Sequence, residues 1–330
     1  MKRFLLIGGA GTIGYYFTRF LREEGYEPHV MSHGRYIAPN YYRGDIMYID
    51  DIRRVIKTSS PDYIVHLAAE VSRRGAEANL AKTEAVNVLG TLNVGLAAVE
   101  AGVPVVYAST SEVYGRRFEN ETPVTEDMLP DPFNNVYGLS KYQGEQCLEY
   151  LAYRHGLKAS IARIFMTYGE GKIPVTSTNI EGMYSGMAIM ITGLLRGQPI
   201  NVHRDTARQW CHVRDTCRGL LTIATKARGP FSVYNVGNSR VTLNLVLAQT
   251  IADIVGASDE LIREVPCPVD TIPVKVASFE KIRRELGFEA LVSLEDGLRG
   301  YIEWLRPYVE DNASVIIPRK ADAKDEHSSY

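Results

Sequence analysis

The chain has 330 residues. At roughly 150 residues per domain this suggests about two domains, or one large α/β unit with an appended lobe. With 45% hydrophobic and 23% charged residues, 28 Gly and 15 Pro, the composition excludes a disordered, collagen-like or repeat chain. Lys plus Arg total 37 against 39 Asp plus Glu, a net charge of −2, which excludes a bulk basic field for nucleic acid or an anionic membrane.

The apolar run near the N-terminus is only Phe4–Ile7, followed by glycines. It is too short for export, and no segment reaches the ~18 apolar residues of a membrane-spanning helix. Cys147, Cys211, Cys217 and Cys267 form no CxxC pair, so they read as sporadic buried thiols rather than a zinc ribbon or a disulfide framework. A soluble protein of the cytoplasm is expected.

Taken in order, Phe4–Ile7 predicts a strand. Residues 12–24 predict a helix, with Ile13, Phe17, Phe20 and Leu21 on one face and Gly25 as its stop. His29–Met31 and Tyr63–Leu67 predict strands, 85–100 a helix and 104–108 a strand. Residues 135–155 predict a long helix, and Ala159–Ile164 a further strand. Strands of nearly continuous apolar residues alternating with helices imply a parallel sheet covered on both faces. Right-handed crossovers then make it a Rossmann-type, doubly wound α/β sheet.

The rhythm breaks after Phe165. Residues 166–185 are rich in Gly, Thr, Ser and Pro and read as loop. Helices are predicted over 187–196, 246–255 and 279–286. The expected division is a dinucleotide-binding domain of residues 1–165 and 212–240 and a smaller, C-terminal substrate-binding lobe of 166–211 and 241–311. Residues 312–330 read as a frayed tail.

Gly8, Gly11 and Gly14 fall between the first strand and the first helix as G-x-x-G-x-x-G. Glycine there permits a tight turn, close approach to a pyrophosphate and helix–strand contact, and the helix N-terminus offers N–H groups to phosphate. Thr12 and Ile13 complete the candidate phosphate loop. NAD sites usually carry a carboxylate at the end of strand 2 for the ribose 2′-hydroxyl; here the position is Ser32, followed by His33 and Arg35. A hydroxyl beside cations attracts a 2′-phosphate, so of the NAD(P) pair, NADP is favoured.

Tyr137 and Lys141 form Tyr-x-x-x-Lys on a predicted helix, and the i, i+4 spacing puts both on one face. A nearby ammonium and a positive nicotinamide ring are expected to lower the tyrosine pKa enough for it to act as a base. Upstream, residues 108–115 read ASTSEVYG at the end of an apolar strand, where open α/β sheets bind ligands. The hydroxyl there can share a hydrogen bond with Tyr137, and Glu112 can act as acid or base.

Together these parts resemble the extended short-chain dehydrogenase/reductase family, in its nucleotide-sugar epimerase/dehydratase branch. The resemblance spans residues 1 to about 310 and rests on GGAGTIG (8–14), GDI (44–46), HLAA (66–69), NVLGT (87–91), ASTSEVYG, YGLSK (137–141), RIFMTYG (163–169) and RQWCHVRD (208–215). It implies that Asp45 and Ile46 border the adenine, that Leu67, Ala68, Ala69 and Asn87 line the cofactor, and that Thr110, Tyr137 and Lys141 form a catalytic triad. It implies that Arg208 meets a substrate diphosphate and that Ser111 flanks the sugar. Arg73 or Arg74 would contact an acidic group or phosphate.

ASTSEVYG looks most like the UDP-glucuronate decarboxylases. The 4,6-dehydratases usually carry an Asp-Glu pair where this chain has Ser111 and Glu112. The chain departs from the pattern at Met166 and near Ile189, where the family's asparagines help hold the diphosphate. The resemblance implies a nucleotide-sugar substrate and a 4-epimerase-type outcome through transient C4 oxidation. Alternatives are UDP-glucuronate decarboxylation and NADP-linked 4-keto reduction. A non-catalytic cofactor-binding protein is expected to lose the Tyr–Lys pair that this chain keeps. By the same analogy the protein is a homodimer, paired through residues 85–100 and 135–155. His203 and His212 lack a third ligand at metal spacing, so no metal is expected.

Overall fold

The computed structural model describes residues 1–34, 39–71, 73–120, 123–133, 135–171, 186–268 and 271–310. Seven parallel strands form the central sheet: β1 (Arg3–Ile7), β2 (Glu27–Ser32), β3 (Tyr41–Arg43), β4 (Tyr63–His66), β5 (Val105–Thr110), β6 (Ala159–Ile164) and Phe231–Val236. Their order is β3-β2-β1-β4-β5-β6 and then Phe231–Val236 at the far edge. The chain reverses its winding between β1 and β4, and in such sheets the crevice beyond that switch point receives the ligand.

Period-2 alternation sends β1 side chains to two cores. Leu5 and Ile7 face one cluster; Phe4 and Leu6 face the other. The first cluster is closed by α2 (Ile49–Ser59), α5 (Gly90–Ala101) and α7 (Val136–His155), through residues such as Val55, Val94 and Leu148. The second is closed by α1 (Thr12–Glu23) and Val213–Lys226, through Phe17, Phe20 and Leu220. Each such side chain, fully buried, contributes about 1.5–3 kcal/mol. Ile282, Leu286 and Phe288, from the stretch expected in the smaller lobe, join this second cluster on the sheet. Between α2 and α5 lie α3 (Arg73–Ala78), α4 (Leu80–Glu84) and a π turn, Ala85–Leu89, and α6 (Arg117–Asn120) follows β5; the single helix predicted over 85–100 is this π turn followed by α5.

A separate core gathers Gly186–Leu195, Asn244–Val255 and Leu294–Glu310 around Ile191, Leu247 and Leu298. Two-stranded pairings attach to this part: Ile200–His203 runs parallel to Ile262–Val265, and Ala207–Arg208 runs antiparallel to Thr242–Leu243. The four cysteines are free; Cys211 and Cys217 are buried as expected, whereas Cys147 and Cys267 are only half-buried. No helix among the described residues is long and apolar enough to cross a membrane.

Two expected features lie outside the described residues, namely the 312–330 tail and most of the 166–185 loop. Tyr41 and Tyr42 form β3 beside β2, a strand not predicted from the sequence. The Tyr42 hydroxyl lies 3.0 Å from His29 Nδ1.

Candidate active site

The turn after β1 is built for close approach. Gly8 has φ +86°, and a Cβ added there would collide with the Ala68 backbone at the end of β4. Gly14 lies so close to the Gly9 backbone that it too excludes a side chain. Gly11 begins α1 without any side-chain cap, so the first-turn N–H groups of Thr12, Ile13 and Gly14 remain available to an anion. This cradle at the switch point fits a dinucleotide pyrophosphate. Leu67 and Ala68 both donate their N–H to Ile7 O, at 2.8 and 2.9 Å, tying β4 to β1 across the crevice.

The neighbouring residues are placed as follows. Ser32 ends β2 half-buried, and His33 is exposed beyond it. Arg35 lies outside the described residues. Asp45 accepts from Met47 N at 3.0 Å, which shapes its turn. Ile46 is buried against Gly90. Asn87 is fully buried; its amide accepts from Glu70 N (2.7 Å) and donates to Glu70 O (3.1 Å) and Ser140 Oγ (2.9 Å), holding the loop after Ala69 to α7. His66 is buried beside Thr91, and burial together with Lys141 pushes its pKa down to about 3. It is therefore neutral.

β5 ends at Thr110, and a 3₁₀ turn, Ser111–Tyr114, carries Ser111 and Glu112. The Thr110 hydroxyl accepts from Glu112 N at 3.2 Å. Asn135 caps α7 by accepting from Gly138 N at 2.6 Å, which sets Tyr137 in the first turn. Tyr137 faces Thr110, which acts on its hydroxyl. Its pKa, however, is not lowered. Burial pushes it up to about 12, Glu112 adds to the rise, and only Thr110 works against it. The expected help from Lys141 is missing because that side chain turns inward: it is 1% exposed, with Nζ 3.9 Å above the Tyr107 ring. Burial lowers the Lys141 pKa to about 7, against the opposing effect of Glu145.

Glu112 receives Lys275 Nζ at 2.5 Å and Asn135 Nδ2 at 3.2 Å. Lys275 is a functional candidate that the sequence reading missed. It lies 163 positions from Glu112 in a loop without regular structure, so no spacing rule points to it. Arg208 is half-buried nearby. Its guanidinium donates to Ala207 O (2.7 Å), Pro273 O (2.6 Å) and Ile272 O (2.9 Å), and the Glu112 charge acts on it. Arg208 thus clamps the Lys275 loop, a role absent from the sequence-based expectation.

The side chains of Arg73 and Arg74, on α3, lie outside what is described. Met166 packs at the edge of the lobe core, and Ile189 is exposed. His212 caps the helix Val213–Lys226 and sits 3.3 Å from Glu170. Among the described residues no group of three or more His, Cys, Asp or Glu could hold a metal ion.

Residues 4–237 match the model of the NAD dependent epimerase/dehydratase family. The chain belongs to that family. A dTDP-glucose 4,6-dehydratase of Streptomyces niveus is 30% identical over 350 residues, covering 97% of this chain and 96% of that protein. UDP-glucuronic acid decarboxylase 5 of Arabidopsis thaliana is 28% identical, covering 90% and 87%. Among solved structures, the UDP-glucose 4-epimerase of Thermotoga maritima with UDP-glucose superposes with a TM-score of 0.83 at 28% identity, covering 93% of this chain and all of that one. The dTDP-glucose 4,6-dehydratase DesIV of Streptomyces venezuelae, with NAD bound, gives 0.80 at 28%, covering 94% and 100%. The protein is accordingly an enzyme of this NAD-dependent family, using a nicotinamide dinucleotide.

Proposed function

We propose that the protein acts on a nucleotide sugar through transient oxidation at C4, with 4-epimerisation as the outcome. The observation that carries this is the approach of Tyr137, on the first turn of α7, to Thr110 at the carboxyl end of the sheet that also holds the glycine cradle. A nicotinamide ring, when bound, supplies the hydride acceptor and donor. Tyr137 takes the proton of the 4-hydroxyl, and Thr110 hydrogen-bonds the oxygen as it becomes a ketone. Its pKa of about 12 without ligand means that the phenolate must be drawn out by positive charge brought in with the cofactor. Gly8, Gly11, Thr12, Ile13 and Gly14 would hold the pyrophosphate, and Lys141 the nicotinamide ribose. The lobe around Ile191 and Leu298 would carry the substrate's nucleotide.

A second reading, decarboxylation of a uronic acid nucleotide, is favoured by one observation: the Lys275–Glu112 pair. A cation there suits a C6 carboxylate, and a C4 ketone lies β to that group. NADP remains our preferred cofactor, on Ser32 and the absence of an acid at that position. Exposed Leu89, Tyr150 and Tyr153 support pairing of two chains through residues 85–100 and 135–155.

The test begins with the dinucleotide released on denaturation, identified by mass. UDP- and dTDP-sugars are then screened by NMR. Conversion of a sugar to its C4 epimer without net cofactor consumption is expected. Carbon dioxide release from UDP-glucuronate would replace the first reading by the second. Stoichiometric NADPH loss with a keto-sugar would overturn both.

A further inference from the structure

A row of buried polar groups runs beneath the candidate site. Ser109, Arg163 and Asn235 are register partners on three adjacent strands. Glu145 reaches this row from α7: the Ser109 hydroxyl donates to its carboxylate, and Arg163 donates through Nη2 at 2.8 Å and Nε at 3.2 Å. Arg163 Nη1 donates to the Tyr114 hydroxyl at 3.1 Å, which donates to Asn235 Oδ1 at 2.7 Å. Glu145 and Arg163 are both buried. Two charges held that deep are costly, and a pair of well-packed apolar residues would often serve stability as well.

Lys141 lies one helical turn before Glu145, on the same face. The groups around its ammonium are Tyr107 from β5, His66 from β4 and Glu145 from α7. His66 is neutral and cannot compensate it. Glu145 is the carboxylate that acts on Lys141, and both meet the same face of β5: Lys141 stands over Tyr107, and Glu145 accepts from Ser109 two positions along the strand. Ser109, Tyr107 and Tyr142 complete the surroundings of Glu145.

We propose that Glu145 is a positioning residue for Lys141, held by Ser109 and Arg163 as the fixed counter-charge that keeps the buried ammonium protonated for the nicotinamide ribose. The ribose contact rests on the function proposed above; the counter-charge does not. Only a protonated Lys141 presents three donors to ribose hydroxyls. At neutral pH an ammonium in an apolar pocket stands at the edge of losing its proton, so a nearby anion decides whether those donors exist.

Glu145→Gln alone leaves Arg163 buried without its anion and is expected to fold poorly. The deciding variant is therefore E145Q/R163M, a neutral replacement of the pair. In lysine-labelled protein, the Lys141 signal is assigned by its loss in Lys141→Met and titrated by NMR. Its midpoint is expected near 7 in the native protein and about one unit lower in the double variant. Affinity for the dinucleotide that copurifies, NAD or NADP, should fall several-fold at pH 7.5 and stay unchanged at pH 5, where both proteins carry the charge. An unmoved midpoint, or an equal loss of affinity at both pH values, would leave Glu145 as a structural ion pair and overturn the proposal. Neither readout uses a sugar, so a wrong substrate assignment would not be mistaken for failure here.

Discussion

The glycine turn and the Glu112–Lys275 pair are two regions of one candidate site, built in opposite ways. The turn is made of backbone: Gly8, Gly11 and Gly14 lie within one loop and a helix start, and their function is to lack side chains. The pair is made of side chains that meet across 163 positions. The difference separates what backbone shape provides from what side-chain chemistry provides. A backbone cradle accepts any dinucleotide of the right shape, whereas a carboxylate and an ammonium at 2.5 Å can select one sugar from another.

The comparison can be broken or sharpened by substitution. The largest effect is expected between the two regions, at Tyr137. Tyr137→Phe removes the candidate base and should lower turnover by ~10²–10⁴-fold while the bound dinucleotide is retained, as read by NMR assay and by cofactor release. Normal turnover would remove Tyr137 from the chemistry. Gly8→Ala comes next. It forces a side chain onto φ +86° and into the Ala68 backbone, at a cost of about 1–3 kcal/mol. The expected outcome is loss of copurified cofactor together with a lower melting temperature.

Lys275→Met tests the other region. If the pair selects a carboxylate, KM for a uronic acid nucleotide should rise at least tenfold, the scale of one charge-assisted hydrogen bond. Cofactor content should not change. An unchanged KM would withdraw the decarboxylase reading.

The last effect is read on stability rather than on activity, at Lys141. Its folded pKa of about 7 lies below the ordinary 10.5, so the unfolded chain binds the extra proton between those values and stability rises with pH across that window. Below pH 7 the cost of burying the ammonium is fully present. Lys141→Met should therefore melt higher than the native protein at pH 6, with the gap closing towards pH 10. A gap that is independent of pH would show that Lys141 is not buried as a titrating group.

Much of the sheet was legible because apolar runs bounded by glycine need little context: β1, α1, β6 and α7 fall within a residue or two of their predicted limits. β3 was not, since three polar or aromatic residues at the sheet edge carry no period-2 signal. α2 had a signal that went unread, in Ile52, Val55, Ile56 and Ser59, which all bury along one face. In the site, the Thr110–Tyr137 meeting was legible from motif and strand end. The tyrosine's raised pKa was not, because it depends on how deeply the ring is covered and on where Lys141 turns.

The amino-acid sequence by itself determined the crevice: a glycine where φ must be positive and where another backbone comes too close for a Cβ is a local demand, visible in one loop. It also determined that a tyrosine and a lysine share a helix face, because helical spacing is periodic. Only the tertiary structure decided that Lys141 lies over Tyr107 and that Lys275 closes on Glu112. Side-chain direction, burial and charge pairing arise from packing between distant segments, and no local pattern encodes them.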